Sequence, residues 1–123
     1  MKSRVIVGAL CLVLAFLTAF YGYRRVGRAS EALAAAAETA VSAADDGFEG
    51  SARQALRLWD ENRAVFFAFV RRDTAEAADV RFEIVRRAIL QSDPARARDA
   101  FSELAAMFRT LPRTEKPGFE NIL

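Results

Sequence analysis

The sequence predicts an all-α protein, with one N-terminal transmembrane helix followed by an antiparallel bundle of about four helices built as two helical hairpins. Two observations predict this class. An uncharged apolar run of membrane length opens the chain, and later segments each carry a single apolar stripe at helical spacing. No window shows the alternation of apolar and polar residues that is typical of a strand. The 123 residues therefore divide into a tail and transmembrane helix over residues 1–23 and one domain over residues 24–123.

The apolar run begins at Val5, ends at Tyr23 and contains no charged residue. As an α-helix it is about 28 Å long, which matches the hydrocarbon thickness of a bilayer. Tyr21 and Tyr23 come directly before Arg24, the order in which aromatic and basic residues flank membrane spans. A cleaved signal peptide is the alternative, but the small residues near the end of the run do not form a convincing cleavage site. We therefore expect a retained anchor that contacts the lipid bilayer through Val5 to Tyr23.

Basic residues lie on both sides of this span. Lys2 and Arg4 precede it and three arginines follow it. Because short basic tails normally stay in the cytoplasm, we expect a single-pass protein of the cell membrane whose domain is extracytoplasmic. Small residues at intervals of three or four also follow one face of the span, which is typical both of a homodimer contact and of membrane helices in general. This face consists of Gly8, Cys11, Ala15, Ala19 and Gly22.

The domain begins with an alanine-rich helix over residues 24–44, which we expect to continue the membrane helix. Asp46 with Glu49 resembles a capping box for a second helix over residues 48–71, and Asp73 with Glu76 repeats this pattern before a third. The second helix is expected to bury Phe48, Ala52, Leu56, Trp59, Phe66 and Val70, and the third Ala78, Phe82, Val85 and Ile89.

A fourth helix is predicted to start at Asp93 and Pro94, which suit the cap and the first helical position. Pro112 is expected to end it. Its apolar stripe consists of Ala97, Phe101, Leu104, Phe108 and Leu111. The tail after it is expected to fold back and dock, which would bury Phe119, Ile122 and Leu123. The alternative is that the free carboxyl terminus is an exposed address for a partner.

Charge and composition exclude several classes of function. The chain has 18 basic and 16 acidic residues, and its basic excess, Lys2 and Arg4, precedes the span, so the domain is formally neutral. It lacks the clustered positive face that nucleic-acid binding requires. There is no histidine, and the only cysteine, Cys11, lies in the apolar run. Carboxylates that could bind a metal fall on polar helix faces, where they are expected to be solvated: Glu31, Glu38, Asp60, Glu76 and Glu83. We predict no catalytic, cofactor or metal residues, and no enzyme activity.

Three features are candidates for partner binding. Trp59 could anchor a partner, but its position on an apolar stripe favours the core. The apolar cluster at residues 65–70 is wider than one stripe, so either part of it is exposed or its helix is buried on two sides. The arginine pairs at residues 71–72 and 86–87 could meet a phosphate, although nearby carboxylates and solvent favour simple surface charges.

The order of elements also resembles a known family. A short basic tail and one span are followed by Asp46, Gly47 and Phe48 and then by Trp59, and the chain closes on Phe-Glu-Asn-Ile-Leu. In this it resembles the uncharacterised bacterial membrane protein family called domain of unknown function 4363. The resemblance implies the architecture and no activity. Members often carry a histidine near the join of the second and third helices, where this chain has Arg-Arg-Asp.

Together these features favour a non-catalytic, membrane-tethered helical module that binds another protein. The alternative is a small-ligand or lipid-sensing helical domain at the membrane surface. An exposed apolar groove would favour the first hypothesis, and an enclosed apolar cavity between the second and third helices would favour the second.

Overall fold

The computed structural model describes residues 2–114, with side chains as far as Leu111, and these residues form four α-helices joined by short turns. The helices are α1 (Lys2–Ser42), α2 (Asp45–Phe69), α3 (Arg72–Leu90) and α4 (Pro94–Thr114). No strand occurs within this part of the chain. The predicted all-α class is confirmed.

Helix α1 is uninterrupted over 41 residues, so it crosses the predicted boundary at residue 23 without a break. Its N-terminal half is exposed, and from Gly22 onward it contributes buried residues to the bundle. In the most apolar 18-residue stretch of α1 the mean hydropathy is 2.4, and only 6% of the stretch is buried by the rest of the protein. Near the N-terminus, α1 is therefore long and apolar enough to span a membrane.

The four helices form a ring in which each is antiparallel to its neighbours: α1 packs against α2 and α4, and α3 completes the ring on the opposite side. We call the end where Phe69 of α2 meets Gly22 and Tyr23 the basal end. The other end, where Arg98 of α4 donates a hydrogen bond to the carbonyl of Ala43 at 2.9 Å, is the distal end. The α2–α3 turn is therefore basal, and the other two turns are distal.

The core of the bundle is aromatic. The Trp59 ring stacks on Phe82 with centroids 4.9 Å apart, and Phe66 and Phe108 pack around this pair. The apolar stripes predicted for α2 and α4 are buried throughout, and that of α3 is buried except at Ile89, which is half-buried. Helical periodicity therefore predicted the core correctly, because one stripe of each helix must face the bundle axis.

Both predicted capping boxes are wrong. The N-caps of α2 and α3 make no side-chain cap hydrogen bond, and Asp46 and Asp73 lie inside the first turns instead. There they face the positive end of the helix dipole, which carboxylates favour without any capping bond. Glu49 pairs with Arg53 four residues later, and Glu76 pairs with Arg72 four residues earlier. The predicted cap of α4 is confirmed, since Asp93 Oδ1 accepts a hydrogen bond from the Arg96 N–H at 3.2 Å.

The expectation that Pro112 ends α4 is also wrong, because the helix continues to Thr114. Proline has a helical φ and forfeits one backbone hydrogen bond, a loss that the last turn of a helix tolerates better than its middle. Residues 115–123, which include Phe119, Ile122 and Leu123 of the predicted docking tail, lie outside the described residues.

Candidate functional site

An open groove lies between α1 and α2 on the outside of the bundle. Its volume is about 640 Å³. We call it the α1–α2 groove. It is lined by Ala32, Ala35, Ala36 and Thr39 on α1 and by Ser51, Gln54, Arg57, Leu58 and Glu61 on α2.

The groove forms because the outer flank of α1 is built of alanines. Ala32 and Ala35 are exposed and Ala36 is half-buried, whereas their neighbours Leu33 and Ala37 face the core. A methyl group cannot fill the space beside the longer side chains of α2, so the groove stays open along α1. The distance at which two helices pack depends on the side chains between them. The groove therefore permits the close approach of another helix.

The α2 side of the groove carries charges without partners. Arg57 and Glu61 lie one turn apart, and neither forms an ion pair with any described residue. Other arginines of α2, the α2–α3 turn, α3 and α4 are mostly paired with carboxylates, namely Arg53, Arg63, Arg71, Arg72, Arg81, Arg86, Arg87, Arg98 and Arg109. The groove thus offers one cation and one anion to an approaching molecule.

A polar network joins α2 to α3. Trp59 Nε1 donates to Asp79 Oδ1 at 3.0 Å, and Arg63 donates to both carboxylate oxygens of Asp79 at 2.9 and 3.0 Å. The hydrogen bonds from Arg63, assisted by that from Trp59, hold the pKa of Asp79 below its usual value. A lowered pKa makes this carboxylate a weaker proton acceptor. The network ties α2 to α3.

Sequence periodicity placed Trp59 in the core and Asp79 on a polar face without linking them. The signal that links them is topological: both lie at similar distances from the α2–α3 turn, on opposite sides of it. In an antiparallel hairpin with a short turn, such positions lie side by side.

The carboxylates considered as metal ligands are spread over three helices. Among the described residues, no group of three or more potential ligands could hold a metal ion. Four of the five pair with arginines instead: Glu38 with Arg109, Asp60 with Arg86, Glu76 with Arg72 and Glu83 with Arg87. The bidentate bonds from Arg109, at 2.9 Å each, lower the pKa of Glu38.

The apolar cluster at residues 65–70 belongs mostly to the bundle. Phe66 and Val70 are buried, and the half-buried Val65, Phe67 and Phe69 pack against the core. The prediction that this helix is covered on two sides fits these contacts better than a free binding patch does.

The position of Phe69 also explains why residue 22 is a glycine. A Cβ atom at Gly22 would lie 2.2 Å from Phe69 Cζ, so any larger residue would displace this ring from its present position. The ring also meets Tyr23 edge-on at 6.0 Å. Gly22, assigned from the sequence to a homodimer face, is therefore covered by its own chain, whereas Gly8, Cys11 and Ala15 of that face are exposed.

No family model, curated protein or solved structure matches this chain. The resemblance to domain of unknown function 4363 therefore stays a prediction.

Proposed function

We propose that this protein is a single-pass membrane protein of the bacterial cell surface, whose helical bundle binds a helix of another protein in the α1–α2 groove and catalyses no reaction. The observation that carries the proposal is the open groove itself, which is lined by alanines and has the unpaired Arg57 and Glu61 on its α2 side.

The anchor in this proposal is the N-terminal half of α1. Its large apolar side chains are exposed, for example Leu12 at 74% and Leu14 at 62%. Exposing so much contiguous apolar surface to water is unfavourable, and a bilayer removes that cost. The basic residues Lys2 and Arg4 before the apolar segment support an orientation in which the bundle lies outside the cytoplasm.

The partner that fits the groove is a helix with small or apolar residues on the contacting face and charges on its flanks. Alanine-lined surfaces allow close helix approach, and the opposite charges of Arg57 and Glu61 favour a partner that carries an acid and a base one turn apart. Electrostatic matching of this kind selects among partners more than it adds to affinity.

The ligand-sensing alternative has less support. It needs space between α2 and α3, and the stacked Trp59 and Phe82 rings with Phe66 and Phe108 fill the centre of that interface. Opening this cluster would expose several aromatic side chains at once, each worth about 1.5–3 kcal/mol of burial.

A homodimer through the small-residue face of α1 is disfavoured by the position of the bundle. Gly8, Ala15 and Gly22 continue, at intervals of four or seven, into Val26 and Leu33, which α2 and α4 cover. A second copy on this face would thus approach from the side that the bundle occupies. The groove lies on a different flank of α1.

Crosslinking with a blocking substitution tests the proposal. A photoreactive amino acid at Gln54, in the full-length protein in native membranes, is expected to crosslink one partner, and Ala35→Trp should abolish the product by filling the groove. Ala35 is exposed, so the substitution leaves the core intact.

The matched control is Ser102→Trp, at an exposed position of α4 outside the groove. It should leave the crosslink at Gln54 unchanged. A crosslink that survives Ala35→Trp, or that forms equally well from a photoreactive residue at Ser102, would overturn the proposal.

A further inference from the structure

The basal end of the bundle collects arginines that are distant in the sequence. Arg71 and Arg72 form the α2–α3 turn and the start of α3, with side chains 72% and 85% exposed. Arg24, Arg25 and Arg28 are exposed on α1 just past Tyr23. The contact of Phe69 with Gly22 and Tyr23 brings these two groups to one level along α1.

That level coincides with the end of the apolar segment of α1. The segment ends at Tyr23, and Phe69, the last residue of α2, touches both Gly22 and Tyr23. The chain turns immediately afterwards, so Arg71 and Arg72 lie where lipid head groups would lie if α1 spans a bilayer. Aromatic side chains followed by basic ones are the usual order at this depth.

The charge balance of the described side chains around the α2–α3 turn and the facing part of α1 is positive. Arg71 pairs with Asp73 at 3.2 Å and Arg72 with Glu76 at 3.0 Å, and both pairs are exposed. Arg24, Arg25 and Arg28 have no ion-pair partner among the described residues. Exposed ion pairs are weak and readily exchange one partner for another anion. Among the described side chains of α1, the α2–α3 turn and the start of α3, five arginines therefore face two carboxylates at this end.

We infer that the basal end rests on the bilayer and binds anionic phospholipid head groups, with Arg71 and Arg72 reaching them from the bundle and Arg24, Arg25 and Arg28 from α1. This inference rests on the proposed membrane anchor, but not on the proposed protein partner. Binding would restrain the bundle against the membrane surface and fix the direction in which the α1–α2 groove faces.

Amide hydrogen exchange of the full-length protein in vesicles tests the inference. One sample contains phosphatidylcholine alone and the other equal parts of phosphatidylcholine and phosphatidylglycerol. The reporters are the N–H groups of Val70 and Ala75, which donate to Phe66 and Arg71 at 2.9 and 3.0 Å on either side of the turn. Head-group binding should slow their exchange in the anionic vesicles.

The expected slowing is about threefold to thirtyfold. Each arginine near an anionic surface contributes about 1 kcal/mol, so two would give about thirtyfold, and competition from Asp73 and Glu76 reduces this. The double variant Arg71→Gln with Arg72→Gln should lose most of the slowing. The matched control, Arg87→Gln with Arg96→Gln at the distal end, removes the same charge and should retain it.

The outcomes separate the inference from the proposed anchor. Equal exchange in the two vesicles, or equal loss in both double variants, overturns the inference while the protein stays membrane-embedded. Failure of the wild-type protein to remain with the vesicles after alkaline washing would instead overturn the anchor, and with it the basis of the inference.

Discussion

The contact between Gly22 and Phe69 makes a sharp prediction about glycine replacement in α1. Gly22→Ala should destabilise the bundle relative to Gly27→Ala, although both add one methyl group to the same helix. The new Cβ at Gly22 would lie 2.2 Å from Phe69 Cζ and 2.4 Å from both Cε atoms, whereas a Cβ at Gly27 meets nothing within 4 Å.

The size of the stability loss follows from the packing that the Phe69 ring loses. The clashing atoms are the far end of a side chain, so the ring can swing away, and the cost is its packing and not backbone strain. Full burial of phenylalanine is worth about 1.5–3 kcal/mol, and the half-buried ring with its edge-on Tyr23 contact should be worth about 1–2 kcal/mol. Both substitutions gain up to about 1 kcal/mol of helix propensity. Gly22→Ala should therefore be less stable than Gly27→Ala by about 1–2 kcal/mol.

Urea unfolding in detergent micelles measures this difference. Trp59 is the only tryptophan, and it is fully buried against Phe82, so its fluorescence reports the bundle and not the apolar segment. The midpoints convert to free energies by linear extrapolation.

A double-mutant cycle with Phe69→Ala supplies the control. Once the ring is absent, Gly22→Ala should cost nothing further, so the two effects should be strongly non-additive. Equal stability of the Gly22→Ala and Gly27→Ala proteins, or additive effects of Gly22→Ala and Phe69→Ala, would refute the packing argument.

Three further predictions concern the bundle. Leu104→Asp should unfold it, because Leu104 is fully buried and an unpaired buried carboxylate costs several kcal/mol. Ser102→Asp, at an exposed position, should change stability by less than about 0.5 kcal/mol in the same thermal melts. Ser30→Ala should raise the free energy of unfolding by about 1 kcal/mol, because Ser30 Oγ is buried without a hydrogen-bond partner in the described structure; a lower urea midpoint would contradict this. Asp79→Asn should lower stability at neutral pH. Since hydrogen bonds from Arg63 lower the pKa of Asp79 in the folded state, this stabilisation is present above the unfolded pKa of about 3.9 and is lost as the pH falls through the folded pKa. The gap between the wild-type and Asp79→Asn midpoints should therefore close in acid, and a gap independent of pH would rule this out.

Helical periodicity is strong enough to predict the elements and the core. Trp59, Phe82, Phe101 and Leu104 are all buried as their positions on apolar stripes indicated. The signal is reliable because each helix has one solvent-exposed face and one buried face. This division does not depend on which helices are neighbours.

Pairings between helices depend on the packing and are not local properties. Glu103 faces outward as its helical phase predicts, yet it accepts a hydrogen bond from Arg81 Nε of α3 at 2.8 Å. The capping boxes failed for a related reason, since Glu49 pairs with Arg53 four residues later and Glu76 pairs with Arg72 four residues earlier. A local motif competes with every other partner that the fold brings near.

The α1–α2 groove was not predicted, because alanine-rich sequence does not say which methyl groups stay uncovered. Ala34 and Ala37 are buried while Ala32 and Ala35 are exposed, and the difference is set by where α2 and α4 lie around α1. The contact of Phe69 with Gly22 was also not predicted, because it joins residues that are far apart in the chain.

Alkaline carbonate extraction of cell membranes, followed by N-terminal sequencing, tests the membrane anchor most directly. The exposed apolar half of α1 predicts that the protein stays in the membrane pellet with its N-terminus intact, since a span of this length inserts stably in a bilayer. Recovery of a soluble protein that begins near Gly22 would show that the segment is removed, and would contradict the account of a tethered bundle.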